Sequence, residues 1–388
     1  MSNPAPPLAP TSARGQGLDA LRFVAAAFVV LYHLGPTAPV PLSQIWPVMD
    51  RGWLATNFFL LLSGYVLGRA YGPRLDGQPV RPWRFVSKRL QRIWPAQAAV
   101  LAGLLALVLA AALIGQAPDH PERFTALGFV SQLTLTQAWG FGGEGWNEPS
   151  WTLSALLVCY LAFPLLWRVS RRLSGGLSAA LLAPLMIGAA AALSVGLLDH
   201  SLYDLPSGMG VLRALPLFAA GVLTARFAEG LRLSRASAFA LAVTGLGSAA
   251  VLQATPDSEG AALASMGAIL LGVVGLDLFR FRPSLGLRRA ADLSFALFIT
   301  HTLTGAVWSS LTEQLPDSLS ESPVMAWSLW AAGLPLALAA AWLFDRVFDQ
   351  PVQRWLSERR PPESRAWIAR LRARRTAQTP SDTPWPAA

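Results

Sequence analysis

Long apolar runs alternate with short polar loops along almost the whole of this chain. Ten runs stand out, at about 18–36, 53–71, 93–114, 151–168, 177–198, 209–227, 236–254, 260–279, 292–312 and 323–345. Each approaches the ~20 residues that a helix needs to cross the hydrocarbon of a bilayer. The pattern predicts an all-α fold: a polytopic membrane bundle of about ten transmembrane helices.

The loop charges test that count. With the N-terminus in the cytoplasm, the inner loops carry Arg74, Arg81, Arg84, Lys88, Arg89 and Arg92; Arg171 and Arg172; Arg232 and Arg235; and Arg280, Arg282, Arg288 and Arg289. The outer loops hold mostly acids, among them Asp119, Glu122, Glu144, Glu148, Asp199 and Asp204. Basic residues thus fall on one side at nearly every turn, which predicts cytoplasmic termini. Residues 124–140 are almost as long as a span. A crossing there would invert every later loop, so the segment is expected to be a re-entrant or surface helix shielded by protein.

Hydrophobic residues make up 53% of the 388 positions and charged residues only 14%, against roughly 25% charged in a soluble domain. The net charge of +9 resides in the short loops, so it expresses membrane topology and not nucleic-acid binding. The single cysteine, Cys159, excludes an intramolecular disulfide and lies in an apolar run, where an inert thiol is expected. Residues 1–17 are rich in Pro and Ala and read as a disordered leader without a signal-peptide cleavage site. Residues 18–345 form the membrane domain. Residues 346–388 form a basic cytoplasmic tail, in which 363–375 has the pattern of an amphipathic helix on anionic lipid.

Residues 18–34 concentrate the polar exceptions. Arg22 and His33 are eleven residues apart, almost three whole turns, so they share a helix face; Asp19 lies one turn before Arg22. Ionisable groups within hydrocarbon are costly and usually mark a functional cavity. The alternative is snorkelling at the two ends of the helix. Arg89 and Arg92, at i and i+3, suit a polyanion such as a nucleotide phosphate, or simply anchor the inner face. The Gly- and Trp-rich loop from Gly140 to Trp151 suits a sugar-sized pocket or a plain turn. Ser150, Thr152 and Ser154 open the helix that follows, with Ser150 a candidate N-cap. His301, deep in its span, is either a hydrogen-bonded structural imidazole or a second catalytic or substrate-orienting one. His120 and His200 have no partner pattern. No Cys/His/Asp cluster has metal-ligand spacing, so no metal is expected. No G-x-S-x-G elbow marks a serine nucleophile.

Six segments, in order, resemble the integral-membrane acyltransferase-3 family of bacterial O-acyltransferases. Leu21 and Arg22 through His33 resemble its opening Leu-Arg…His helix. Asn57 to Tyr65 reads Asn-Phe-Phe-Leu-Leu-Leu-Ser-Gly-Tyr and resembles its Phe-Phe-x-Leu-Ser-Gly helix. Arg89 to Pro95 resembles Arg-x-x-Arg-Ile-x-Pro, and Asn147 to Ser154 resembles Asn-x-Pro-Ser-Trp-Ser-Leu-Ser. Leu293 to His301 resembles its late Leu-Ser-Tyr-x-Leu-Tyr-x-x-His helix, and Asp349 to Pro351 its closing acidic-x-Pro. The resemblance implies a bacterial inner-membrane enzyme with no bound cofactor. It would transfer an acyl group, commonly acetyl from acetyl-CoA as co-substrate, to a hydroxyl of a carbohydrate, glycolipid or related cell-envelope or secreted molecule. It implies that His33 is the base, with Arg22 as its companion, and that Arg89 and Arg92 contact acyl-CoA. The residues themselves suggest that Asp19 orients Arg22, and that Asn147, Ser150, Trp151, Ser154 and His301 contact the acceptor. One departure is visible: Ala155 and Leu156 stand where the family usually has Val-Glu, so no carboxylate can act there. The competing class is a carrier or flippase for a glycolipid or polysaccharide precursor, although no internal repeat supports it.

Overall fold

The computed structural model describes residues 16–75, 82–118, 120–141, 145–173, 175–255, 259–279, 285–316 and 322–359. The amphipathic helix expected at 363–375 lies outside the described residues, as does nearly all of the N-terminal leader.

Ten long helices coincide with the ten apolar runs. They are α1 (Gln16–Leu34), α3 (Trp53–Leu75), α4 (Pro82–Leu113), α6 (Trp151–Arg171), α7 (Gly176–Leu198), α8 (Gly210–Gly230), α9 (Arg235–Ala254), α10 (Glu259–Phe279), α11 (Leu285–Thr312) and α12 (Pro323–Phe344). Three short helices join them among the described residues: α2 (Leu42–Ile45), α5 (Ala126–Leu133) and α13 (Gln350–Glu358). Among the described residues nine helices are long and apolar enough to cross a membrane. The exception among the ten is α3, which is long enough but carries Asn57, Gly64, Gly68 and Arg69. Its burial within the bundle explains the tolerance, because protein and not lipid faces those residues. The chain is therefore an all-α, multi-pass membrane protein.

The segment 124–140 does not cross. At 1.5 Å per residue, the eight residues of α5 span only about 12 Å. Thr125 caps α5 by accepting the Gly128 N–H. A π-type turn over Gln137–Phe141 then reverses the chain, with Gly140 at φ 90°. Gly145 takes φ 129° and lies so close to the Arg123 carbonyl that a Cβ there would collide with it. This folded loop caps the end of the bundle where α6 begins.

Small residues set the helix spacings. On α3, Gly64 lies under the backbone of Phe218 and Gly68 under Ala225; on α8, Gly221 lies under the Leu61 carbonyl. Such close approach replaces the hydrophobic driving force that lipid cannot supply. The α9–α10 pair is built the same way, with Gly245 against Gly272 and Gly275 against Ala242. Helix α1 packs chiefly on α11. Ala26 and Val30 cluster with Ala296 and Leu297, His33 meets His301, and Leu34 approaches Gly305. The contacts advance together along both helices, so α1 and α11 run parallel.

Candidate functional site

Four helices place polar residues in a column through the bundle. From Arg22 to His33, α1 rises about 16 Å; from Arg89 to Gln97, α4 rises about 12 Å; from Phe295 to His301, α11 rises about 9 Å. Helix α6 runs the other way, with Ser154 near the histidine end and Tyr160 near the arginine end. Contacts across the helices gather the residues at each end.

At the arginine end, the Arg89 guanidinium lies over three rings: Tyr71 at 5.1 Å, Phe85 at 5.3 Å and Tyr160 at 5.8 Å. Aromatic faces attract a cation and hold its planar fork in place. Arg22 and Arg89 both lie within electrostatic range of Tyr160, so two of the predicted cations share one neighbourhood. Asp19 and Arg22 are each engaged by neighbours. Arg92 stacks over Phe295 at 4.6 Å and donates to Asp349 Oδ1 at 2.8 Å. Asp349 precedes α13, whose Gln353 donates to the Gln91 and Arg92 carbonyls. The first residues of the segment read as a tail are thus helical and packed on α4.

At the other end, the rings of His33 and His301 lie 5.1 Å apart and 40° inclined, with Tyr32 edge-on to His33 at 5.0 Å. His301 is fully buried, and its Nδ1 is 2.9 Å from the Phe298 carbonyl and 3.3 Å from that of Leu297. A carbonyl only accepts, so Nδ1 carries the proton and Nε2 bears the lone pair. That buried Nε2 has no hydrogen-bond partner among the described residues.

Asn147 is the hub beside this pair and is wholly buried. Its Nδ2 donates to Gln97 Oε1 (3.2 Å) and to the Ile299 carbonyl (3.3 Å), and its Oδ1 accepts from Thr302 Oγ1 at 2.6 Å. Its backbone N–H donates to Gln132 Oε1, and its carbonyl accepts from Ser150 Oγ. Gln137 donates to Ser150, and Ser154 Oγ accepts the Ala138 N–H. Asn147, Ser150 and Ser154 therefore use their polar groups to bolt the capping loop onto α4, α6 and α11. Ser150 stands at the N-cap of α6 but makes no side-chain capping bond. Trp151 is buried beneath the Arg213 guanidinium, 5.0 Å from its ring centre.

Several polar residues here were not singled out from the sequence. Arg213, only 5% exposed, donates from Nε to Asn57 Oδ1 at 2.7 Å and from a terminal nitrogen to the Trp53 carbonyl. Asp277 on α10 accepts from Tyr65 and Arg69 on α3. Gln97 keeps a buried Nε2 without a partner among the described residues. An arginine inside the run 209–227 was a visible signal; the glutamine two residues after Pro95 was a fainter one. Two apolar hollows lie off the column. One, about 280 Å³, runs beside Leu21, Ala25 and Phe28 of α1; the other, about 400 Å³, lies between Trp139 and Val211.

A family model described as an acyltransferase domain matches residues 16–346. Over 383 residues the chain is 26% identical to Acyltransferase MdmB of Streptomyces mycarofaciens, covering 91% of this chain and 95% of that protein. Over 135 residues it is 31% identical to BcsY of Komagataeibacter xylinus, provisionally named a membrane-bound transacylase, covering 35% of this chain and 30% of that protein. Over 99 residues it is 32% identical to Protein 2 in picA locus of Rhizobium radiobacter, covering 25% of this chain and 48% of that protein. No solved structure matches.

Proposed function

The chain belongs to the acyltransferase-3 family of membrane acyltransferases, and on that footing we propose that it moves an acyl group, acetyl in the first instance, from acyl-CoA to a hydroxyl of a carbohydrate or glycolipid. Its place is the bacterial inner membrane, with the donor entering from the cytoplasmic, arginine end. The observation that supports this reading is the placement of polar groups at two levels of the same helices, with the guanidinium of Arg89 at one and the paired imidazoles of His33 and His301 at the other.

Arg89 and Arg92 bind the CoA phosphates, and Arg22, further along, faces the arm of the donor. Neutral His33 accepts the proton of the acceptor hydroxyl while that oxygen bonds to the thioester carbonyl carbon. The carbon–sulfur bond then breaks, and the departing sulfur takes the proton back from His33 to leave as CoA thiol. Asn147, Ser150 and Ser154 act on the acceptor indirectly, through the cap they hold in place.

The test is CoA release and label transfer from radiolabelled acetyl-CoA by the purified protein in nanodiscs, with glycolipid and oligosaccharide acceptors. His33→Ala is expected to lower kcat by at least about 100-fold, the smaller end of what a general base contributes. Arg89→Ala is expected to raise the KM for acetyl-CoA. Full activity in a correctly inserted His33→Ala protein overturns the mechanism.

A further inference from the structure

A general base in a membrane interior has a second nitrogen to satisfy. When His33 presents a lone pair to the acceptor hydroxyl, its other ring nitrogen carries a proton. Away from water that N–H costs free energy unless something accepts it. The nearest imidazole, His301, has such an acceptor to spare. Its Nδ1–H is committed to the Phe298 carbonyl of its own helix, which fixes the tautomer and leaves Nε2 as a lone pair. The in-plane bonding directions of Nδ1 and Nε2 diverge widely, so Nε2 points away from the carbonyls that Nδ1 meets. The long helix packed chiefly against α11 is α1, with the His33 ring 5.1 Å away. Rings at that separation can form a direct N–H···N bond of about 3 Å once they turn edge to edge.

We propose that His301 is the positioning residue for His33. Its Nε2 accepts the N–H of His33, sets the tautomer of that ring and aims its lone pair at the acceptor oxygen. As His33 takes up the acceptor proton, the same bond becomes charge-assisted and holds the imidazolium. The chain of bonds runs from the Phe298 carbonyl through His301 and His33 to the acceptor hydroxyl, so the α11 backbone orients a base carried by α1. The step stays balanced: one proton leaves the hydroxyl, rests on His33 and departs on the CoA sulfur, while His301 keeps its own proton throughout. This inference rests on the reading of His33 as the base.

The experiment compares His301→Leu, His301→Gln and His301→Asn in the acetyl-CoA assay, with thermal unfolding measured on each. Leucine fills the site but accepts nothing, so kcat is expected to fall about 100-fold with KM for donor and acceptor nearly unchanged. Glutamine can donate to the Phe298 carbonyl and still offer Oε1 to His33, so it is expected to restore at least tenfold of that loss. Asparagine is too short to do both and is expected to resemble leucine. If the leucine protein is not recovered, the glutamine–asparagine pair decides, and equal activities overturn the proposal. Wild-type activity in His301→Leu, or an effect on KM alone, also overturns it. A dead His33→Ala with a fully active His301→Leu sinks this inference alone; a fully active His33→Ala sinks the reading beneath it.

Discussion

Replacing Asn147 with alanine separates a scaffold from a substrate contact. The change removes three side-chain hydrogen bonds, but they are not worth the same. The Ile299 carbonyl lies within a helix, so it loses little. The Thr302 hydroxyl can turn to a carbonyl of its own helix. Gln97 cannot recover: it is fully buried, its Nε2 already lacks a partner, and its Oε1 would now lack one too. An orphaned buried polar group costs about 1–3 kcal/mol, and the space left by the carboxamide adds about 0.5 kcal/mol. Hydrogen bonds within membrane proteins average nearer 0.6 kcal/mol, which places the expected loss at about 2 kcal/mol. The assay is built into the chain, because Cys159 is its one cysteine and is buried. A thiol-reactive dye therefore reports unfolding directly, and a fall in Tm of about 2–3 °C is expected. Adding Gln97→Leu should recover part of that fall, since removing both partners is milder than stranding one. Strictly additive losses, or an Asn147→Ala protein with unchanged Tm, would refute this account of the hub.

Three further outcomes follow from the packing and the ion pairs. Gly221→Val puts a side chain into the Leu61 carbonyl and should abolish recovery of folded protein, whereas Gly247→Ala, which meets nothing within 4 Å, should not; size-exclusion yield in detergent distinguishes them. Arg213→Met strands Asn57, whose Nδ2 is already unpartnered, and should cost about 3 kcal/mol. Arg213→Lys should not rescue its Tm, because an ammonium cannot reach Asn57 and the Trp53 carbonyl as the planar fork does. The Arg92 side chain is 42% exposed, so Asp349→Asn should cost about 1 kcal/mol or less in stability. If Arg92 grips the donor as proposed, the KM for acyl-CoA should instead rise severalfold, because Arg92 loses the carboxylate that aims it.

The spans were legible because each is a long run whose apolar character local composition reveals. The loop at 124–140 was legible only through charge bookkeeping, which left a short capping element as the consistent choice. His301 was visible as a polar residue in an apolar helix. What the sequence does not display is pairing. Asn57 and Arg213 lie 156 positions apart, and Asn147 and Thr302 lie 155 apart. Nothing local says that they meet. The same limit explains Asn147, Ser150 and Ser154. Their polarity suggested contact with an acceptor, but polarity alone cannot tell a group offered to a ligand from one consumed by a neighbouring backbone. Gly64 and Gly221 read as ordinary glycines until the opposing carbonyls are in view.

The parallel seam between α1 and α11 has a consequence for biosynthesis. One imidazole is laid down near the start of translation and the other only after three-quarters of the chain has been made. The ribosome must deliver the ninth long helix before the two rings can meet. A nascent chain stalled earlier holds His33 without its companion, so on the proposed mechanism acyl transfer switches on only when assembly is nearly finished, and incomplete copies in the membrane should be inert.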